Sequence, residues 1–182
     1  LDIDWNKSFG GKSKGNRHLF RIVWKALELA KNFGANKPIV EAGAWLHDTN
    51  LEVTIAGETL ANREKVEKFL QCIGVGKEDS VKIMHCIEAH DGRIPAKTIE
   101  AKLVHDADTL EKMGPLGIIR ETWKRSQLGW TTEEIISHLK THLKKRESKL
   151  YIEEAKEQAK ALNKELDNFF ITIDEQLKEQ LD

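Results

Sequence analysis

Cysteine is scarce: the 182-residue chain has two, Cys72 and Cys86. They form no Cys-x-x-Cys pair, and two thiols cannot build a framework of several disulfides. Both read as small buried hydrophobes. Long apolar runs are missing too. No stretch approaches the ~18–20 residues that a bilayer crossing needs. No basic start, apolar stretch and small-residue cleavage site opens the chain. Residue 1 is Leu, so an initiating residue or short leader is expected before it, and the cytoplasm is the expected compartment. An excess of charge of one sign is also lacking, with 29 Lys and Arg against 30 Asp and Glu and a net charge of -1. Such balance argues against a nucleic-acid coat or a polybasic membrane anchor, though not against a local basic pocket for a small anion.

Strand signals are sparse as well, and helical periodicity dominates. Leu19, Ile22, Val23, Ala26, Leu27 and Ala30 recur at helical spacing before Gly34. Pro38 suits a helix first turn, followed by the apolar run Ile39 to Leu46. Residues 49–60 read as a loop. Further helices are expected over about 61–73, with Val66, Phe69, Leu70 and Ile73 on one face, and from a cap at Asp79 or Ser80 to Gly92, with Val81, Ile83, Met84 and Ile87 inside. Thr98 is expected to cap a helix reaching about 112. Gly114-Pro115-Leu116-Gly117 is expected to break the chain before a short helix to about 127. Thr131 or Thr132 caps a long helical region, and residues 131–182 contain neither Gly nor Pro. Ile135, Ile136, Leu139, Leu143 and Leu150 give one stripe there. Leu162, Leu166, Phe169 and Phe170 give another after a break near 150. The expected architecture is all-α: an irregular basic segment over 1–15, a helical core over 16–128 and a C-terminal helical arm over 129–182 packed back on it.

Seven histidines are present, and several neighbour aspartates. His18, the pair His47-Asp48, the run His105-Asp106-Ala107-Asp108, and His85 with His90-Asp91 stand out. Imidazole and carboxylate together suit a borderline divalent ion such as manganese, iron, nickel, cobalt or zinc. His47-Asp48 ends the apolar run Ala42-Gly43-Ala44-Trp45-Leu46, where polar groups left unpaired cost about 1–3 kcal/mol each. An ion would satisfy both; so would a backbone carbonyl for His47 and a capping role for Asp48. His18 alone reads equally as a surface or capping residue. Asp106 and Asp108 diverge by roughly 200° on a helix, so they do not chelate one ion together, and periodicity does not choose between them. His138 and His142 have the spacing of a metal pair, but no third ligand accompanies them in sequence.

His18, His47-Asp48 in the context Ala44-Trp45-Leu46-His47-Asp48, and Asp108 within Asp106-Ala107-Asp108-Thr109-Leu110 form an ordered H…HD…D set. It resembles the signature of the HD-domain phosphohydrolase superfamily, and in particular its small stand-alone predicted hydrolases of bacteria and archaea. His18-x-x-Arg21-x-Val23, Ile87-x-x-His90 and the stretch Met113 to Ile118 are similar to local elements of that family. The resemblance covers about residues 16–128 and extends more loosely into the C-terminal helices.

The resemblance implies an all-α HD-domain helical bundle with a C-terminal extension. It implies one divalent metal ion (manganese, iron, nickel, cobalt, zinc or magnesium) held by His18, His47, Asp48 and Asp108, which selects Asp108 over Asp106 and leaves Asp106 to orient a ligand. His85 and His90 lie five apart, about 140° around a helix, which disfavours a second metal. Thr109 and Glu111 stand where relatives often carry Arg and Asp. The implied activity is hydrolysis of a small phosphorylated substrate, a nucleotide by expectation, through a metal-activated water. Catalytic roles fall to Asp48 and His90, the latter as phosphate contact or general acid, with a buried core histidine as its plainer reading. Arg17, Arg21 and Lys112 are candidate substrate contacts, as are Lys12 and Lys14. The alternative function is a non-catalytic metal- or nucleotide-binding regulatory module. The C-terminal stripe can pair with a second copy as readily as fold back, so a homodimer is compatible with it.

Overall fold

The computed structural model describes residues 17–50 and 58–178. Lys12, Lys14 and the rest of the basic segment lie outside these residues, as does Gly57. Among the described residues the regular structure is helical, without a strand: α1 (His18–Leu29), α2 (Lys37–Leu46), α3 (Glu58–Cys72), α4 (Lys77–Ala89), α5 (Ile99–Glu111), α6 (Gly114–Gln127), α7 (Thr132–His142) and α8 (Glu153–Lys178), with short 3₁₀ turns between some of them. The chain divides into two compact units, residues 1–108 and 109–182. The boundary expected near residue 128 falls inside the second unit.

In the first unit α1 buries His18, Leu19, Ile22, Val23, Ala26 and Leu29, the face that its apolar spacing marks out. That face packs on α2, and α2 packs in turn on α4. Pro38 sits in the first turn of α2, where its missing N–H costs nothing. Gly43 of α2 is what lets α4 approach: a Cβ there would stand 2.5 Å from Cys86 Cβ and 3.6 Å from Val104 Cγ2. The unit therefore closes around the small residue four positions before His47. Helix α5 is buried along nearly its whole length from Ala101 to Leu110. Thr98 caps it, its Oγ1 accepting from the Ala101 N–H at 3.2 Å.

In the second unit α7 begins with a capping box between Thr131 and Glu134. Its stripe Ile135, Leu139 and Leu143 joins Leu166 and Phe170 of α8 in one core cluster. A 3₁₀ turn over Lys144–Lys149 and extended Leu150 make the expected break.

Four local expectations are corrected. The helix α4 starts at Lys77, not at a cap on Asp79 or Ser80. Gly76 supplies the extended residue before it, so Glu78 and Asp79 fall in the first turn, where acidic side chains complement the helix dipole. The break at 114–117 is confined to extended Met113 and to Gly114 at φ +61°, and Pro115 to Gly117 already form the first turn of α6. Ile73 is exposed rather than on the apolar face of α3, because α3 ends at Cys72. Cys86 is buried as expected, whereas Cys72 is exposed at the end of α3.

Gly43→Ala must push α2 and α4 apart, costing about 1–3 kcal/mol of stability in urea denaturation. Gly34→Ala, whose Cβ would meet nothing within 4 Å, serves as the near-neutral control.

Candidate metal centre

Three distant stretches of the first unit deliver side chains to one point. The first residue of α1 is His18, fully buried. The α2 helix tightens at its end into a 3₁₀ turn over His47–Asn50, which carries His47 and Asp48 inward. The long buried helix α5 brings Asp108. His18 Nε2 and His47 Nε2 stand 3.2 Å apart. Asp48 reaches both rings, Oδ2 lying 3.4 Å from His18 Nε2 and Oδ1 lying 3.4 Å from His47 Nε2. Asp108 Oδ1 lies 3.7 Å from His18 Nε2 and 4.0 Å from His47 Nε2.

These spacings have a simple reading. Two atoms each about 2.1 Å from a shared ion stand about 3.0 Å apart at a right angle, about 3.4 Å at the tetrahedral angle and about 4.2 Å when opposite. Each of these five distances falls in that interval. Among the described residues, His18, His47 and Asp108 form the one group whose ligand atoms all lie within 4.8 Å of one another.

Protonation fits the same reading. His47 Nδ1 donates to the Ala44 carbonyl at 2.7 Å, so the ring keeps its proton on that side and turns an Nε2 lone pair toward His18. The backbone bond and the inward-facing nitrogen, two alternatives from sequence, are thus compatible in one ring. Burial lowers the His47 pKa to about 4, outweighing the pull of Asp48 and Asp108. Near neutrality the imidazole is therefore an uncharged donor beside two carboxylates, the state a divalent ion requires of its ligands.

No family model matches the chain. Over 109 residues it is 31% identical to YpgQ of Bacillus subtilis, a stretch covering 57% of this chain and 53% of that protein, so the match spans about half the length of that relative. The crystal structure of Bacillus subtilis YpgQ in complex with ADP is similar with a TM-score of 0.75 at 24% identity, over 91% of this chain and 92% of the other. An HD-superfamily hydrolase from Bacillus thuringiensis is similar with a TM-score of 0.72 at 25% identity, over 96% of this chain and 92% of the other.

The fold is that of the HD superfamily. Within this HD fold the remaining candidates divide clearly. His90, at the end of α4, is buried beside the centre: its Nε2 lies 4.0 Å from Asp48 Oδ1, and its ring centroid lies 5.1 Å from that of His47. Its Nδ1 donates to the Ile87 carbonyl at 2.7 Å, the same device that fixes His47. His85 turns away and accepts from the Lys97 N–H at 2.9 Å. The two histidines thus diverge as their spacing predicts.

Asp106 holds the neighbouring ring, with His105 Nδ1 at 2.9 Å from its Oδ1, and both are buried. Sequence reasoning gave His105 no role of its own. Gly92, at φ +79°, lies so close that an added Cβ would be 3.3 Å from His105 Nε2. The Asp106–His105 pair thus underlies the turn that follows His90. Arg17 is exposed just before α1, and Arg21 is half-buried one turn further on. Lys112 is half-buried in the second unit, just beyond α5. Glu111, which departs from the family pattern, is paired with Arg120 at 2.7 Å with both side chains buried.

Two outcomes follow from the centre. Manganese or cobalt is expected to bind with a single equivalent in titration calorimetry. The affinity falls more than about 10-fold in His18→Ala, His47→Ala and Asp108→Ala, and His85→Ala leaves it unchanged. The metal-free protein is expected to lose stability on acidification. His47 takes up a proton near its ordinary value of 6.5 when unfolded and only at about 4 when folded. Its contribution is therefore complete above about pH 6.5 and lost by about pH 4, amounting to about 3 kcal/mol. Urea melts in chelator at the two ends of that range, compared with His47→Gln, measure it.

Proposed function

We propose that the chain is a divalent-metal-dependent phosphohydrolase acting on a small phosphorylated substrate, a nucleotide in the first instance. The observation that carries the reading is the convergence of Asp48 and Asp108 on the buried, mutually facing Nε2 atoms of His18 and His47, with contacts of 3.2–4.0 Å. A divalent ion held by these four would draw charge from a phosphoryl oxygen and lower the pKa of a water beside it.

The chain's own groups supply the rest. Asp48 has imidazoles facing both carboxylate oxygens, which holds its orientation in the cage. His90 stands outside the four ligands, its Nε2 within 4.0 Å of Asp48, which places it beside the proposed centre. With Nδ1 committed to Ile87, donation from Nε2 requires the doubly protonated ring. His90 then stabilises charge on a phosphoryl oxygen or protonates the leaving oxygen. Arg17 and Arg21, beside the first ligand on α1, are the nearest basic side chains in sequence within the first unit to hold further phosphate oxygens. The crystal structure of Bacillus subtilis YpgQ with ADP supports a nucleotide as the substrate class.

The test is a panel of nucleoside mono-, di- and triphosphates with added manganese, reading phosphate and pyrophosphate release. Turnover of at least one nucleotide is expected. It falls by at least about 100-fold in Asp48→Ala, since losing a ligand costs more than the 10–100-fold typical of a group that only orients one. His90→Ala is expected to lower kcat with manganese affinity retained. A folded Asp48→Ala protein with normal turnover contradicts the site. Stoichiometric metal without turnover of any nucleotide favours the non-catalytic binding module.

A further inference from the structure

His105 and Asp106 lie just before Asp108 on α5 and are not among the four proposed ligands. His105 is 2% exposed and Asp106 is fully buried. Adjacent residues on a helix do not ordinarily face each other, yet His105 Nδ1 donates to Asp106 Oδ1 at 2.9 Å. A bond made by one ring nitrogen sets the orientation of the imidazole and so aims the other.

The opposite edge of the ring meets the turn that ends α4. The Gly92 N–H donates to the Ala89 carbonyl at 3.2 Å, closing a turn whose inner residues are His90 and Asp91. A Cβ on Gly92 would stand 3.3 Å from His105 Nε2 and 3.9 Å from His105 Cδ2, so the backbone of the turn lies against the ring. Gly92 also adopts φ +79°, a conformation strained for any side chain. Glycine is therefore required twice over, by the backbone twist and by the ring behind it. Residues 92–95 are exposed and Ala96 is the next buried one, so burial does not anchor the chain leaving His90 until Ala96. The His105 ring is the buried support beneath that stretch. The same turn carries His90, whose Nδ1 donates to the Ile87 carbonyl at 2.7 Å and whose Nε2 comes within 4.0 Å of Asp48 Oδ1.

We propose that His105, locked by Asp106, is a positioning residue for His90. The pair ties the turn of α4 to the helix that carries Asp108, so one rigid element sets both a ligand and the height of His90 beside the centre. Catalytic groups gain from support of this kind because small displacements are costly. The role rests on the hydrolytic reading of His90.

The test uses two variants of the full chain. Asp106→Ala removes the acceptor that fixes the ring. His105→Phe keeps a ring against Gly92, loses the bond, and serves if Asp106→Ala does not fold. The first readout needs no turnover: in chelator, the NMR signal of the His90 ring Cε1–H is expected to move in either variant while that of His85 stays. The second readout is kinetic, with manganese and a nucleotide that the unmodified protein hydrolyses. Since a misplacement of about 1 Å can cost about 100-fold, kcat is expected to fall at least about fivefold, with KM and manganese affinity within about twofold. Asp106→Asn, which keeps an oxygen acceptor for His105, is expected to recover most of that kcat. In a His90→Ala background, Asp106→Ala is expected to cost no further kcat, because the two act through one group. An unmoved His90 signal in folded variants, an equal loss of kcat in the His90→Ala background, or manganese affinity falling in step with kcat would overturn the proposal. Bound manganese without turnover in the unmodified protein overturns the hydrolytic reading instead, and the ring signals then decide by themselves whether His105 sets His90.

Discussion

Two imidazole nitrogens facing each other across 3.2 Å, between two buried carboxylates, set the terms for the first unit. The backbone keeps the His47 proton on Nδ1, and burial keeps the ring uncharged until about pH 4. His47 therefore meets Asp48 and Asp108 as an uncharged ring near neutrality. A divalent ion held there would draw on both carboxylates and on the His47 Nε2 lone pair.

The surrounding structure follows from holding those groups in place. Gly43 lets α2 lie on α4, which sets the end of one helix, with His47 and Asp48, beside the end of the other, with His90. The apolar stripe of α1 fixes the height at which His18 enters. Helix α5 brings Asp108 from a segment buried on nearly every side. Even the charged pair between Arg120 and Glu111 is a consequence of burial just past that segment, where a lone charge would be costly.

Much of this was legible in the residues. The stripes of α1 and α7 predict their buried faces because an amphipathic helix must bury one side; in α8 Leu166 and Phe170 are buried, whereas Phe169 is exposed. The pairing of polar His47-Asp48 with an apolar helix end marks a site because unpaired buried groups are costly. The choice of Asp108 over Asp106 was not legible from periodicity, since both flank the same apolar face; the fold places Asp108 at the centre and Asp106 against His105. Helix starts were less legible where glycine does the capping: Gly76 precedes α4 and Gly114 opens α6 through backbone conformation, which leaves no side-chain signal.

The central claim is that one ion sits among His18, His47, Asp48 and Asp108. Anomalous diffraction at the manganese edge, from crystals grown with manganese, tests it most directly. The account predicts one strong peak about 2.0–2.3 Å from His18 Nε2, His47 Nε2 and a carboxylate oxygen of each aspartate. A peak elsewhere in the molecule, with those four side chains unligated at full manganese saturation, would contradict it.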